Sequence, residues 1–168
     1  MMGAGKSTIG KQLARRMHRQ FLDSDQQIEI KAGVKISVIF EIEGESGFRR
    51  RESRVLQDLL QTSNVVMATG GGAILDPHNR KLLSQSGWVI YLHAHPLELF
   101  ERTRYDAKRP LLQVEDPKNK LLQLFTERDP LYREIADLVI DSSGKSQSSV
   151  VTHIEQEILR ITTSLCNP

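Results

Sequence analysis

The 168 residues suffice for one domain with its own core, and 39% apolar with 26% charged residues is the composition of an ordinary globular chain. A formal charge of 23 − 21 = +2 argues for neither a nucleic-acid nor a membrane-surface partner, and 5% aromatic content argues against a base-stacking platform. No run approaches the length of a membrane span, and the lone Cys166 cannot form an internal disulfide, so the expected setting is the cytoplasm.

The chain opens MMGAGKSTIG, a Gly-rich run followed by Ile9, Leu13 and Met17 at four-residue spacing, one apolar face of a helix. A second helix is expected over 25–32, stopped by Gly33, and Ser37 is expected to cap a short helix to about Glu43. Behind Gly47, the residues Phe48, Val55, Leu56, Leu59 and Leu60 mark a longer helix. VVMAT (65–69) reads as a buried strand running into Gly70-Gly71-Gly72, and Asp76-Pro77 caps the helix after it. WVIYL (88–92) is a further buried strand, and His95-Pro96 opens a helix to about Thr103. Residues 104–117 are charged and poorly periodic, a long loop. Helix resumes over 118–128 and is expected to break at Pro130. LVID (138–141) is a last short strand, and Val151, Ile154, Ile158 and Ile161 form the apolar face of a C-terminal helix. Buried strands alternating with helices predict an α/β fold with a parallel sheet, as one domain over 1–168.

The strongest chemical signal is GAGKST. Successive backbone N–H groups in such a loop, together with a helix N-terminus, make a nest for phosphate. Gly3, Ala4 and Gly5 let the backbone approach the anion, Lys6 reaches the β- and γ-phosphates, and Ser7 and Thr8 open the helix, with Ser7 a ligand for Mg²⁺. The plainer reading is a Gly-rich turn with a capping serine. FLDSD (21–25) sets two carboxylates two residues apart, which on an extended segment point to one side. One would serve the metal and the other an acceptor hydroxyl; alternatively either acid simply caps the next helix. FRRRES (48–53) fans three arginines around a helix, so at most two can face one site. RPLL (109–112) offers an arginine in the long loop and RDPLYRE (128–134) another before the proline. The triple glycine directly after a buried strand invites a ligand onto bare backbone.

Together MGAGKST, FLDSD, FRRRE, TGGGA, RPLL and RDPLY, in this order and spacing, resemble shikimate kinase, and the resemblance runs from Met2 to the last helix. The phosphate loop alone is shared by a vast superfamily; the succession of the others is specific. The resemblance implies a P-loop kinase fold with helices on both faces of a parallel sheet, with a substrate-binding part over about 24–60 and a lid over about 104–117. It implies that the enzyme uses ATP, with Mg²⁺ as cofactor, to phosphorylate the 3-hydroxyl of shikimate. It further implies that Lys6, Ser7 and the loop glycines hold ATP and its metal, and that Asp23 supports the metal through water. Asp25 would grip the shikimate diol and accept the proton of the attacking hydroxyl. Arg49 and Arg128 would clamp the carboxylate, with Gly70, Gly71 and Gly72 as the rim, Phe40 and Phe48 as apolar walls, and Glu52 orienting the arginines. Arg109 would reach the transferring phosphate from the lid. Arg102 would pack on adenine, with the turn at 143–146, including Lys145, on its other side. The family precedent is a monomer.

In that family a strand leads into the loop from the middle of the sheet, so this chain is expected to lack its first central strand and to be incomplete at its start. Two other readings remain beside it. One is another small-molecule P-loop kinase, such as a gluconate or nucleoside kinase, which would have no reason to pair Arg49 and Arg128 around a triple-glycine rim. The other is an inactive nucleotide-binding paralogue, which would bind ATP without acceptor-dependent release of ADP.

Overall fold

The computed structural model describes residues 1–104 and 110–166, with side chains through 163. In chain order the elements are α1 (Lys6–Arg16), β1 (Gln20–Asp23), α2 (Ser24–Ala32), α3 (Ile36–Leu59), β2 (Val65–Ala68) and α4 (Pro77–Ser86). They continue with β3 (Ile90–His93), α5 (Pro96–Thr103), α6 (Pro117–Ile135), β4 (Leu138–Asp141) and α7 (Gln147–Cys166). No helix among the described residues is long and apolar enough to cross a membrane.

The strands are parallel, as the buried runs predict, and they form two ladders. β1 pairs with β2, setting Gln20 opposite Val65 and Asp23 opposite Ala68. β3 pairs with β4, setting Ile90 opposite Leu138 and His93 opposite Asp141. Side chains rather than backbone bonds join the halves. Met1, Met2, Tyr91, Leu92 and Ile140 share one core with Ile9 and Leu13 of α1 and Val150, Val151 and Ile154 of α7, and Val66 packs against it. A smaller cluster of Ile28, Ile39, Phe48, Val55 and Leu59 seals α2 against α3. Parallel pairing places Asp23 beside the segment that runs from Ala68 into the triple glycine. That is the carboxyl end of the strands, where open α/β folds bind ligands.

Several boundaries differ from the sequence reading. Ser37 caps nothing: α3 starts at Ile36, whose N–H donates to Glu29 Oε1 of α2 at 3.1 Å. The break expected between about Glu43 and Gly47 is a kink at Gly44 (φ 67°, ψ −178°), and helix has already resumed at Gly47, which is buried within it. α6 runs through Pro130 without stopping. Proline withholds one N–H, and Leu121, Leu124, Arg128 and Tyr132 bury one face of this helix on both sides of it, so packing outweighs the lost bond. β3 starts at Ile90, leaving Trp88 outside the strand and 44% exposed. Within the long loop Pro110–Leu112 make one 3₁₀ turn, and positions 105–109 lie outside the described residues.

Candidate active site

The loop and α1 meet at Gly5, which holds a left-handed conformation (φ 83°) that side chains rarely adopt, and its carbonyl accepts the first helical bond from Ile9 N–H. The first turn of α1 carries no acidic side chain, so the partial positive charge of its free N–H groups is not offset there. Lys6 Nζ donates to the Met1 carbonyl at 2.8 Å, folding its side chain back over the loop.

Ser7 Oγ donates to Asp23 Oδ2 at 2.6 Å, bringing loop and first strand together. The other oxygen of Asp23 accepts from the N–H groups of Asp25 and Gln26, at 3.1 and 3.4 Å. Asp23 therefore caps α2, the plainer of the uses weighed from sequence, and holds the loop serine at once. The expectation that Asp23 and Asp25 project to one side of an extended segment does not hold. Helix begins at Ser24, so Asp25 sits in its first turn, with Oδ1 at the Gly70 rim. Between them Ser24 is buried, and its hydroxyl accepts from Gly70 N–H at 2.9 Å, which locks the acids to the glycine rim.

The rim explains its own composition. A side chain at Gly70 would collide with Glu52 Oε1 and Asp25 Oδ1, and one at Gly72 with the guanidinium of Arg49. The peptide of Gly71 lies against Arg128 and Tyr132. Behind it, Asn79 Nδ2 of α4 donates to Ala73 O and to Ser53 Oγ, each at 3.0 Å, and ties the turn to α3.

The two arginines singled out from sequence sit in unlike surroundings. On α3, Glu45, Arg49 and Glu52 share one face, being four and three residues apart. Arg49 Nη1 donates to Glu52 Oε2 at 2.7 Å and Nη2 to Glu45 Oε1 at 2.8 Å, while its head lies over the Phe48 ring. Phe40 and Phe48 pack with ring centroids 4.8 Å apart. Arg51 turns away to Glu43. Arg128 comes from α6, is 2% exposed, and among the described residues forms no ion pair. It gives one hydrogen bond, from Nη1 to the Gly71 carbonyl at 3.2 Å, and its Nε is buried with no partner. Burial lowers its pKa from the usual arginine value. Glu52 is as deep, and one of its oxygens also has no hydrogen-bond partner. Its pKa is raised, first by burial and further by the charge of Asp25, against the pull of Arg49 and Arg128. The result is a buried cation that has no ion pair among the described residues, beside the buried Glu52.

Farther along, Arg102 of α5 donates to Glu98 Oε2 at 3.0 Å and to the Ser142 carbonyl at 3.3 Å, and Gly144 N–H donates to the same glutamate at 3.3 Å. Arg102 thus stands beside the turn that carries Lys145, which is exposed. Thr8 is exposed in the first turn of α1. Arg109, expected in the lid, lies outside the described residues. Sequence reasoning missed Ser24, Glu45 and Tyr132 as parts of this site. Ser24 stands between the two acids and Tyr132 ends RDPLY, so their place in the motifs was the available signal; Glu45 had only its four-residue spacing from Arg49.

Comparison with known proteins gives the site a context. The family model described as "Shikimate kinase" matches residues 2–159. The chain is 52% identical over 161 residues to a shikimate kinase of Dechloromonas aromatica, spanning 96% of this chain and 88% of that one. It is 53% identical over 158 residues to a shikimate kinase of Burkholderia thailandensis, spanning 94% and 86%. Among solved structures, the shikimate kinase from Acinetobacter baumannii in complex with shikimate superposes with a TM-score of 0.93 at 48% identity, covering 95% of this chain and 89% of that one. The shikimate kinase of Aquifex aeolicus superposes with a TM-score of 0.81 at 34% identity, covering 94% and 92%.

Proposed function

The chain belongs to the shikimate kinase family, and on that premise we propose how its residues divide the reaction. The reaction is the ATP-dependent phosphorylation of shikimate at its 3-hydroxyl to shikimate 3-phosphate, a step toward chorismate and the aromatic amino acids. Both substrates are anionic, so the protein must supply local positive charge that its overall +2 does not. Phosphoryl transfer asks for positioning and electrostatic stabilisation more than for covalent chemistry.

Gly3, Ala4, Gly5 and Thr8, with the free N–H groups of α1, cradle the phosphates of ATP. Lys6 leaves the Met1 carbonyl to meet the β- and γ-phosphates. Mg²⁺ suits the Ser7–Asp23 pair, since that ion takes hard oxygen ligands and keeps several waters in place of an all-protein cage. No cluster of three or more His, Cys, Asp or Glu among the described residues offers such a cage. Ser7 and Asp23 would hold the ion, which when bound neutralises charge on the phosphate oxygens. Arg102 and the turn bearing Lys145 flank the base, and Arg109 meets the transferring phosphoryl group from the lid over 104–117.

Asp25 grips the acceptor diol and takes the proton of the attacking hydroxyl. Arg49, held by Glu45 and Glu52, and Arg128 close on the shikimate carboxylate, with Phe40 and Phe48 against its ring and Gly70, Gly71 and Gly72 as the rim. Residues 24–60 make up the substrate-binding part of a single domain, and the enzyme works as a cytoplasmic monomer. The observation that carries this reading is Arg128, a buried guanidinium that makes no ion pair among the described residues beside a glycine rim. A protein keeps such a charge buried when a ligand completes it.

The test is steady-state kinetics with ADP release coupled to detection. Arg128→Ala removes one side of a buried charge pair, a loss of about 2–5 kcal/mol. The KM for shikimate is expected to rise at least thirtyfold by that measure, with the KM for ATP within about twofold of the parent. Equal losses for both substrates, or a normal shikimate KM, would overturn the clamp.

A further inference from the structure

The carbonyl oxygen of Gly71 takes two hydrogen bonds from one face of α6. Tyr132 Oη donates to it at 2.6 Å and Arg128 Nη1 at 3.2 Å. The two residues stand four apart, about one helical turn, so both reach the same peptide although Pro130 lies between them. Tyr132 is buried, and its ring stacks on Tyr91 with centroids 4.7 Å apart and planes 17° from parallel. Tyr91 is itself fixed, because its hydroxyl donates to Asp129 Oδ1 at 2.8 Å and Arg133 holds the other oxygen of that carboxylate at 2.8 Å. A carbonyl only accepts, so the phenol must be the donor, and burial keeps its proton on by raising its pKa.

We propose that Tyr132 is a positioning residue for recognition of the acceptor carboxylate: its hydroxyl pins the Gly71 peptide and so restricts Arg128 to a single bond with that carbonyl. The inference rests on the role proposed above for Arg128. A carbonyl oxygen has two acceptor sites. With Tyr132 on one, Arg128 satisfies the other through Nη1 alone and keeps its buried, unpartnered Nε for the ligand. Without the hydroxyl, the guanidinium can turn a second N–H onto the rim, and the peptide loses one of its two anchors. The stack on Tyr91 sets the height of the hydroxyl, and RDPLY sets its spacing from the arginine.

Tyr132→Phe keeps the ring and the stack and removes the one donor. The KM for shikimate is expected to rise about three- to tenfold, the worth of one hydrogen bond, with kcat and the KM for ATP within about twofold. Tyr91→Phe takes a hydroxyl from the neighbouring ring of the same stack. It is expected to lower the melting temperature comparably but to raise the shikimate KM less than Tyr132→Phe does, because the stacking ring and the Tyr132 donor both stay. In an Arg128→Ala background, Tyr132→Phe is expected to add no further loss for shikimate, because the group it positions is gone. An unchanged shikimate KM in Tyr132→Phe, a parallel rise in both KM values, or an equal rise in Tyr91→Phe would each overturn the proposal. If Arg128→Ala itself binds shikimate normally, the clamp fails; if Arg128→Ala is impaired and Tyr132→Phe is not, only the role of the hydroxyl fails.

Discussion

Glu52 shows how one residue can serve two masters at this site. Its Oε2 holds Arg49 at 2.7 Å, while its Oε1 is buried near Asp25 at the Gly70 rim with no hydrogen-bond partner. Burial dominates its titration and raises its pKa, with Asp25 adding to the rise and Arg49 and Arg128 opposing it. A raised native pKa means that the folded state binds more protons than the unfolded one above the ordinary glutamate range. Stability from this group is therefore full below that range and is lost as pH rises toward the native value. Glu52→Gln cannot charge, so its unfolding free energy relative to the parent should climb with pH across that window. The slope is at most about 1.4 kcal/mol per pH unit, read from urea unfolding at a series of pH values. A constant offset between the two proteins would show that Glu52 titrates normally. Asp23, by contrast, has both oxygens engaged, one by Ser7 and one by the start of α2.

At the scale of elements, α3 is the piece that carries most of the residues proposed to hold the acceptor. It carries Phe40 before its kink and Phe48, Arg49 and Glu52 after it, so the kink decides how the two phenylalanines meet. The kink is at Gly44, whose φ of 67° with ψ of −178° lies in a region that is essentially reserved for glycine. Space is not the constraint, because nothing lies within 4 Å of a Cβ built there. Gly44→Ala should therefore destabilise the protein through backbone strain alone, by about 1–3 kcal/mol, seen as a lower urea midpoint with an unchanged slope. A neutral substitution would mean that the chain at this bend relaxes without cost. α6 makes the complementary point, since a helix that runs through Pro130 is what keeps Arg128 and Tyr132 on one face.

For the molecule as a whole, the Arg128 guanidinium, buried without an ion pair among the described residues, is a cost of the free state. Ligand binding should return that cost as stability. Shikimate at about a hundred times its dissociation constant is expected to add about 2.7 kcal/mol to unfolding, and to raise the melting temperature accordingly. The increment should fall below about 1 kcal/mol in Arg128→Ala at the same shikimate concentration, while ADP still raises the melting temperature of that variant. Loss of both increments would place Arg128 in the fold at large and not in the acceptor pocket. The β1–β2 ladder leads into that rim, and core side chains join it to the β3–β4 ladder.

The sequence by itself determined the chemistry and the order of the elements. GAGKST before an amphipathic run reads as a loop feeding a helix N-terminus, and the three- and four-residue spacing in 9–17 and 151–161 is a local property that needs no tertiary contact. Apolar runs such as VVMAT and LVID named their strands for the same reason. What they could not reveal was partnership. That Asp23 meets Ser7 while it caps α2 depended on two segments sixteen residues apart touching. Local propensity stopped α6 at Pro130, but the buried face shared by Leu124, Arg128 and Tyr132 carried the helix through. The contrast between Arg49, paired by its own helix, and Arg128, buried without an ion pair beside Gly71, likewise came from packing across elements. Periodicity reports which face of an element is apolar, whereas charge pairing, desolvation and hydrogen-bond partners are set by what that face is pressed against.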